Sequence, residues 1–357
     1  MIKIPRARAA FRLALVMFVA FVAAAAAPAL SAPKPVERRH LRPQFTAGQV
    51  LRYRINTVTT TTSNTTTPIA NSEGASQLKQ TLLMQLRIDV LSVTPGTGTA
   101  GASATVRLRA TYEKASATSE TDAYDPDAAT LVDQFNALQG RAVEFTIDSD
   151  GKLSHVAGLD RLLANPIAAN TVRSSMSGLS ASSQFPREGI VIGQKWNNER
   201  PLENSPLANL IWRTESTYVR DESVPLAEAT DTDASNTPAS NPNPSTTAKP
   251  EPAAAASDAP HSTECAIIVT KVEILRHGPA HGDATPPDYV HNGLRTSGVW
   301  TGSGDSLDSI ALSTGFVVRS TQTTKQDMDF EIASPSTGSK IHYVGHVETQ
   351  TEITLLP

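Results

Sequence analysis

The chain has one cysteine, Cys265, in 357 residues. Without a second thiol there is no internal disulfide, so stability must come from secondary structure and core packing. Set in CAIIVTKVEIL, Cys265 reads as a small buried hydrophobe. Aromatic residues make up 5% of the chain and hydrophobic residues 39%, which implies an aliphatic core of adequate size. Catalytic signatures are lacking too. There is no G-x-S-x-G elbow, P-loop, H-E-x-x-H or C-x-x-C. Ser76 and Lys79 match S-x-x-K, but that chemistry needs the serine at a helix start with its lysine one turn on. Here the motif opens a strand and puts the two side chains on opposite faces. These absences favour a non-enzymatic protein that needs no cofactor.

The chain also lacks positive charge once its N-terminus is set aside. Lys3, Arg6, Arg8 and Arg12 precede an apolar run from Leu13 to Ala27, and Ala27-Pro28-Ala29 fits a small-x-small cleavage site. Residues 1–29 therefore read as a secretory signal. The apolar run is short for a span of roughly 20 residues, so a membrane is met only through this segment if it stays uncleaved. Losing those four basic residues leaves 27 basic against 35 acidic side chains, a formal charge of −8. That excludes generic nucleic-acid binding. The expected location is exported, periplasmic or extracellular.

What is abundant is alternation. In 316–332, FVVRSTQTTKQDMDFEI, every second residue from Phe316 to Ile332 falls on one face. Val317, Arg319, Lys325, Asp327, Asp329 and Glu331 share the other. Side chains alternate across a strand, so this is a very long one with a wet face. Its inner face is apolar at both ends and polar in the middle, where Ser320, Gln322, Thr324 and Gln326 stand. A strand crossing one packed core would be apolar at its centre. These four are the candidate ligand-binding residues, on a stretch that runs past the core, bends, or lines something wet.

Other segments share the period. Leu51, Tyr53 and Ile55 alternate with arginines and lead into a threonine-rich strand end and loop. Residues 78–93 and 104–113 follow in an antiparallel meander. Segments at 141–148 and 152–156 flank the hairpin turn Asp148–Gly151. Further strands are expected at 190–196, 210–220, 264–276, 293–300, 306–312 and 340–355. Two regions switch to helical spacing. Asp125-Pro126 starts one at about 126–139, with Leu131, Phe135 and Leu138 on one stripe and Gly140 as a stop. The second spans about 159–181, interrupted at Pro166. The expected fold is α+β, mostly β: a large curved antiparallel sheet of long strands with two helices packed on one face.

Residues 30–47 read as an extended lead-in, and 48–357 as a single β-rich domain. It is interrupted by a Pro/Ala/Ser-rich insert at 223–262. Seven prolines and ten alanines lie between Pro225 and Pro260, too little apolar surface to offset the entropy of ordering, so disorder is expected. The insert would sit between two hairpin strands, since lengthening a loop costs only about 0.6 kcal/mol per doubling.

The opening strand GQVLRYRI (48–55), the hairpin VEFTIDSDGKLSHVAGLD (143–160), IGQKW (192–196) and the strand–STG–strand ending resemble uncharacterised bacterial envelope proteins of the domain-of-unknown-function kind. The sheet-plus-helix plan is similar to that of periplasmic lipoprotein carriers. The resemblance transfers no functional residue.

Three functions remain open. The first is an exported envelope protein binding an apolar or lipid-like ligand on the sheet's inner face. The second is an assembly module that docks an envelope protein through sheet edges or the 223–262 loop. The third is a metal-dependent hydrolase. His277, His281 and His291 supply imidazoles of a type suited to zinc, but their Gly/Pro-rich loop offers no helix to fix them. His342 and His346 lie roughly 13 Å apart along one strand face, too far to share an ion.

Overall fold

Strand alternation dominates the molecule. The structure, a computed structural model, describes residues 37–66, 73–95, 105–122, 126–148, 153–163, 169, 172, 173, 176, 185–202, 205, 207, 209–226, 262–276, 294–334 and 336–357. Eleven strands form one antiparallel sheet. In chain order they are β1 Val50–Thr66, β2 Glu73–Thr94, β3 Thr105–Thr121, β4 Ala142–Asp148, β5 Leu153–Ala157 and β6 Lys195–Pro201. Then come β7 Leu210–Pro225, β8 Ser262–Arg276, β9 Arg295–Ala311, β10 Val317–Ala333 and β11 Lys340–Leu356. Their spatial order is β5-β4-β3-β2-β1-β11-β10-β9-β8-β7-β6. Two meanders therefore meet where the first strand pairs with the last, Tyr53 opposite Leu355 and Thr65 opposite Tyr343. Residues 39–357 form one compact unit.

The strands run longer than the alternation of apolar residues implies. The threonine run after Ile55 is strand as far as Thr66, not a loop. Threonine suits a pleated, half-wet surface, and its hydroxyls pair across strands. Thr57 meets Thr351 and Thr59 meets Thr349, each pair at 3.3 Å between hydroxyl oxygens. The expected strands at 293–300 and 306–312 are one continuous strand, β9. Gly302 and Gly304 read as a break in sequence, yet both sit within the ladder. Ile274 and Thr324 lean into the space their missing side chains leave. Conversely, 190–196 is not a strand throughout. Ile190 makes an isolated bridge with Arg39, and the edge strand β6 starts at Lys195.

The two-helix expectation needs correction. Helix α1 spans Pro126–Asn136 and buries Phe135, while Leu138, expected on the same stripe, is buried in the turn just past its end. Of the second region, the described residues show the single turn α2, Leu159–Leu162, after which Leu163 is extended. Beyond it, only Ala169, Val172, Arg173 and Met176 of 159–181 are among the described residues, and all four are helical. The first, second and fourth of these are buried. Helix α1 also closes an edge, because the Asn136 side-chain carbonyl accepts the backbone N–H of Ala117 at 2.8 Å where β4 no longer covers β3.

The largest core cluster joins Tyr53, Ile55, Met84, Leu86, Leu108 and Phe145 of the sheet to Phe135, Leu138, Leu159 and Met176. Each large aliphatic or aromatic side chain buried there stabilises by roughly 1.5–3 kcal/mol. A second cluster holds Leu41, Ile190, Tyr218, Ile268, Ile310 and Val317. A third holds Cys265, Ile267, Ala311 and Val318. Strand β8 thus buries apolar side chains on both faces, as its unbroken hydrophobic run implies. The predicted hairpin around the insert exists: β7 pairs with β8 from Leu210 opposite Arg276 to Pro225 opposite Ser262. Residues 227–261 lie outside the described residues.

Candidate functional site

The inner face of the sheet is the face that carries Tyr53 and Ile55, and pairing registers extend it across β9, β10, β11 and β1. One row reads Thr57, Thr351, Gln322, Ser306, and the next Thr59, Thr349, Thr324, Gly304. Beyond these come Ser63, Gly345, Met328, Trp300, then Thr65, Tyr343, Phe330, Gly298. The polar middle of β10 therefore continues sideways as a band of hydroxyl and amide groups. Its distal apolar end continues into a patch of rings. None of Trp300, Met328, Phe330 or Tyr343 belongs to the cluster packed under α1. The strand runs past the helix-covered core, which accounts for its apolar–polar–apolar pattern.

The patch is ordered by glycine. Tyr343 and Phe330 stack with centroids 5.0 Å apart and planes 25° from parallel. The Tyr343 ring lies over Gly345, and the backbone of Asp329 and Phe330 closes on Gly298. Trp300 donates its indole N–H to Oε1 of Gln326 at 3.2 Å, which fixes ring and amide together. Phe330 is buried, while Trp300, Met328, Tyr343 and Ile332 remain half-buried and Ile341 is exposed. Beside the patch, Trp212 packs with Ile274 and Leu207.

The four residues singled out from sequence do share this face, in different environments. Gln322 is exposed. Thr324 is buried, with its methyl toward Gly304. Gln326 holds Trp300. Ser320 donates to Oδ1 of Asp308 at 2.5 Å, and Ser306 donates to Oδ2 at 3.0 Å. Burial raises the Asp308 carboxyl above the ordinary range, and the two serine hydroxyls pull it partly back. Asp308 escaped the sequence reading because it sits in a serine-rich run that looks like surface. Trp300, Phe330 and Tyr343 escaped it because only strand register brings them together.

The outer face is different in kind. Arg319 pairs with Glu352 at 2.9 Å, Lys325 with Glu348 at 3.7 Å and Lys340 with Glu331 at 2.8 Å. His342 meets Asp329 at 2.7 Å and His346 meets Asp327 at 2.8 Å. Exposed pairs of this kind each contribute under about 1 kcal/mol. A shallow groove of about 320 Å³ lies among them, flanked by Val299 and Val344. At the proximal end of the largest core cluster the packing is tight: the space bordered by Phe45, Tyr53, Phe145, Met176 and Phe316 measures about 10 Å³, enough for roughly one water.

The remaining candidates separate cleanly. His277, His281 and His291 lie outside the described residues. Among the described residues, no group of His, Cys, Asp or Glu is placed to hold a metal ion. The thiol of Cys265 is buried and donates to the Thr263 carbonyl at 3.3 Å. Burial first, then Glu264 and Glu222, push it up to about 11, which leaves it unreactive. The sheet edges are short: β5 has 5 residues and β6 has 7. Strand β6 also carries Lys195, Glu199, Arg200 and Pro201, features that discourage edge pairing. Among the described residues, no helix is long and apolar enough to cross a membrane.

No family model matches this chain, and no curated protein matches it. A solved structure titled for lipid–protein interactions in lipovitellin aligns with a TM-score of 0.41 and 11% identity. The alignment covers 88% of this chain and 26% of that one, so this chain spans about a quarter of lipovitellin's length. The Pseudomonas putida toluene transporter TodX aligns with a TM-score of 0.10 and 8% identity, over 87% of this chain and 90% of that one. Neither superposition is close enough to transfer a fold or a ligand.

Proposed function

We propose that this is an exported, non-enzymatic envelope protein that holds an apolar or lipid-like ligand on the distal part of the sheet's inner face. Export rests on the basic and apolar segments of residues 1–29. The observation that carries the binding site is the half-buried patch of Trp300, Met328 and Tyr343 around Phe330, on strands that continue past the helix layer. The Tyr343 ring lies against Gly345 and stacks on Phe330, and the patch presents apolar surface that is not part of the largest core cluster. Such surface, next to a few placed polar groups, is the usual make-up of a small-molecule site. The ligand belongs on the distal part of this face and not within the largest core cluster, where the space bordered by Tyr53, Phe145 and Met176 is filled.

The chain has three tryptophans, and Trp212 and Trp300 both lie on the inner face. Titrating the full chain with an apolar probe should change tryptophan emission, and Trp300→Ala should weaken binding by about tenfold, the scale of one lost ring contact. Mass spectrometry of protein isolated from its export compartment should find an extractable apolar molecule. No extractable molecule and no emission change would remove the proposal.

A further inference from the structure

The charge pattern of the four central strands narrows the ligand class, given the binding site proposed above. On the inner face of β9, β10, β11 and β1, the positions from Asp308 outward are all uncharged except Asp308 itself. They are Ser306 to Thr296, Ser320 to Ile332, Ile353 to Ile341 and Ile55 to Thr65, taken every second residue. The outer face of the same strands carries Arg52, Arg54, Asp305, Arg319, Lys325, Asp327, Asp329, Glu331, Lys340, Glu348 and Glu352. Charge is thus sorted almost completely to one side of a sheet whose two faces are both partly wet.

The inner face divides again along the strands. Rings and Met328 occupy its distal rows. From four residues nearer the core, about 13 Å along a strand, lies the band of Thr57, Thr59, Thr349, Thr351 and Gln322, with Gln326 in the row that joins it to the rings. Hydroxyls and amides both donate and accept hydrogen bonds. The Thr57–Thr351 and Thr59–Thr349 contacts leave hydroxyl capacity unused, and Gln326 accepts from Trp300 while its amide N–H groups stay available. This band can match another hydroxyl or amide. It offers no counter-ion to a charged group, and losing water without a counter-ion is costly. The one ionisable group bordering it, Asp308, is an acid that disfavours an anion nearby.

We infer that the ligand is an uncharged amphipath, with an aliphatic chain over Trp300, Met328 and Tyr343 and a neutral hydroxyl- or amide-bearing head group on the threonine–glutamine band. Fatty acids and phospholipids are selected against by the same band.

Three probes with one octyl chain test this on the full-length chain, each below its micelle concentration: octyl glucoside, octyl sulfate and octyltrimethylammonium. Tryptophan emission and calorimetry should show octyl glucoside binding at least about tenfold more tightly than either ion, the scale of one unmatched polar group. Gln322→Lys, at an exposed position that leaves packing untouched, should reverse the order between octyl glucoside and octyl sulfate. Equal affinity for all three probes, or tighter binding of octyl sulfate to the unsubstituted chain, overturns the head-group inference while leaving an apolar site standing. No binding of any probe overturns both.

Discussion

The ring of Tyr343 covers Gly345, two residues along the same strand. A methyl group at Gly345 would sit 2.6 Å from Cε1 and Oη of Tyr343. The ring can swing away, but it then leaves its stack with Phe330. Gly345→Ala should therefore cost about 0.5–1.5 kcal/mol, the worth of an aromatic pair, and should weaken apolar-probe binding. Gly298 is tighter. Its φ is +147°, and a methyl there would collide with the Asp329 carbonyl oxygen and lie 2.5 Å from Cα of Phe330. Backbone cannot rotate aside, so Gly298→Ala should cost about 3 kcal/mol or more. Chemical denaturation of both variants checks the order. An equal cost would mean that Phe330 and Asp329 yield as easily as a side chain.

Tyr53 places a phenol inside the largest core cluster. Its ring is fully buried, and its hydroxyl has no hydrogen-bond partner among the described residues. Burial alone pushes its ionisation far above the usual tyrosine range. An unmatched buried hydroxyl costs about 1–3 kcal/mol, and phenylalanine keeps the shape without it. Tyr53→Phe should raise the denaturation midpoint with an unchanged slope, by about 1 kcal/mol. A lower midpoint would show that the hydroxyl is satisfied by a water in the small space beside it.

Much of the sheet was legible because one-sided strands advertise themselves. Tyr53 and Ile55, or Leu82 through Val90, alternate with polar residues because one face packs and the other is wet. The signal fades where both faces are wet, so the stretch from Thr57 read as a strand end giving way to a loop, although it stays in the ladder to Thr66 and hydroxyl pairs join it to β11. It fails at Gly302 and Gly304, whose missing side chains are replaced by neighbours contributed from other strands. Helix α1 showed itself by the stripe of Leu131, Phe135 and Leu138. The region after α2 has apolar residues at similar intervals, and of these Ala169, Val172 and Met176 are described and buried. Of the proposed site, one strand's period places Ser320, Gln322, Thr324 and Gln326 on a common face, and the registers agree. Their apolar neighbours come from pairings such as Thr65 with Tyr343, far apart in the chain, which no local pattern reports.

Asp308 makes the inner face sensitive to pH in a defined direction. Its carboxyl is raised by burial, with Ser320 and Ser306 opposing that shift. The folded chain therefore holds the proton more tightly than the unfolded chain does. The fold has its full advantage below the unfolded aspartate value of about 3.9. It loses stability as pH rises from there to the raised value in the folded state, and beyond that the loss is constant. Asp308→Asn keeps the size, still accepts a serine hydrogen bond and does not titrate. Every other group is common to the two proteins, so the difference between their stabilities isolates this carboxyl. That difference should move in favour of Asp308→Asn as pH increases through the carboxylate range, then level off. Denaturation at a series of pH values measures it. A difference that stays flat, or that moves toward the unsubstituted protein, would mean that the two serines fully offset the burial, and that the inner face tolerates a negative charge.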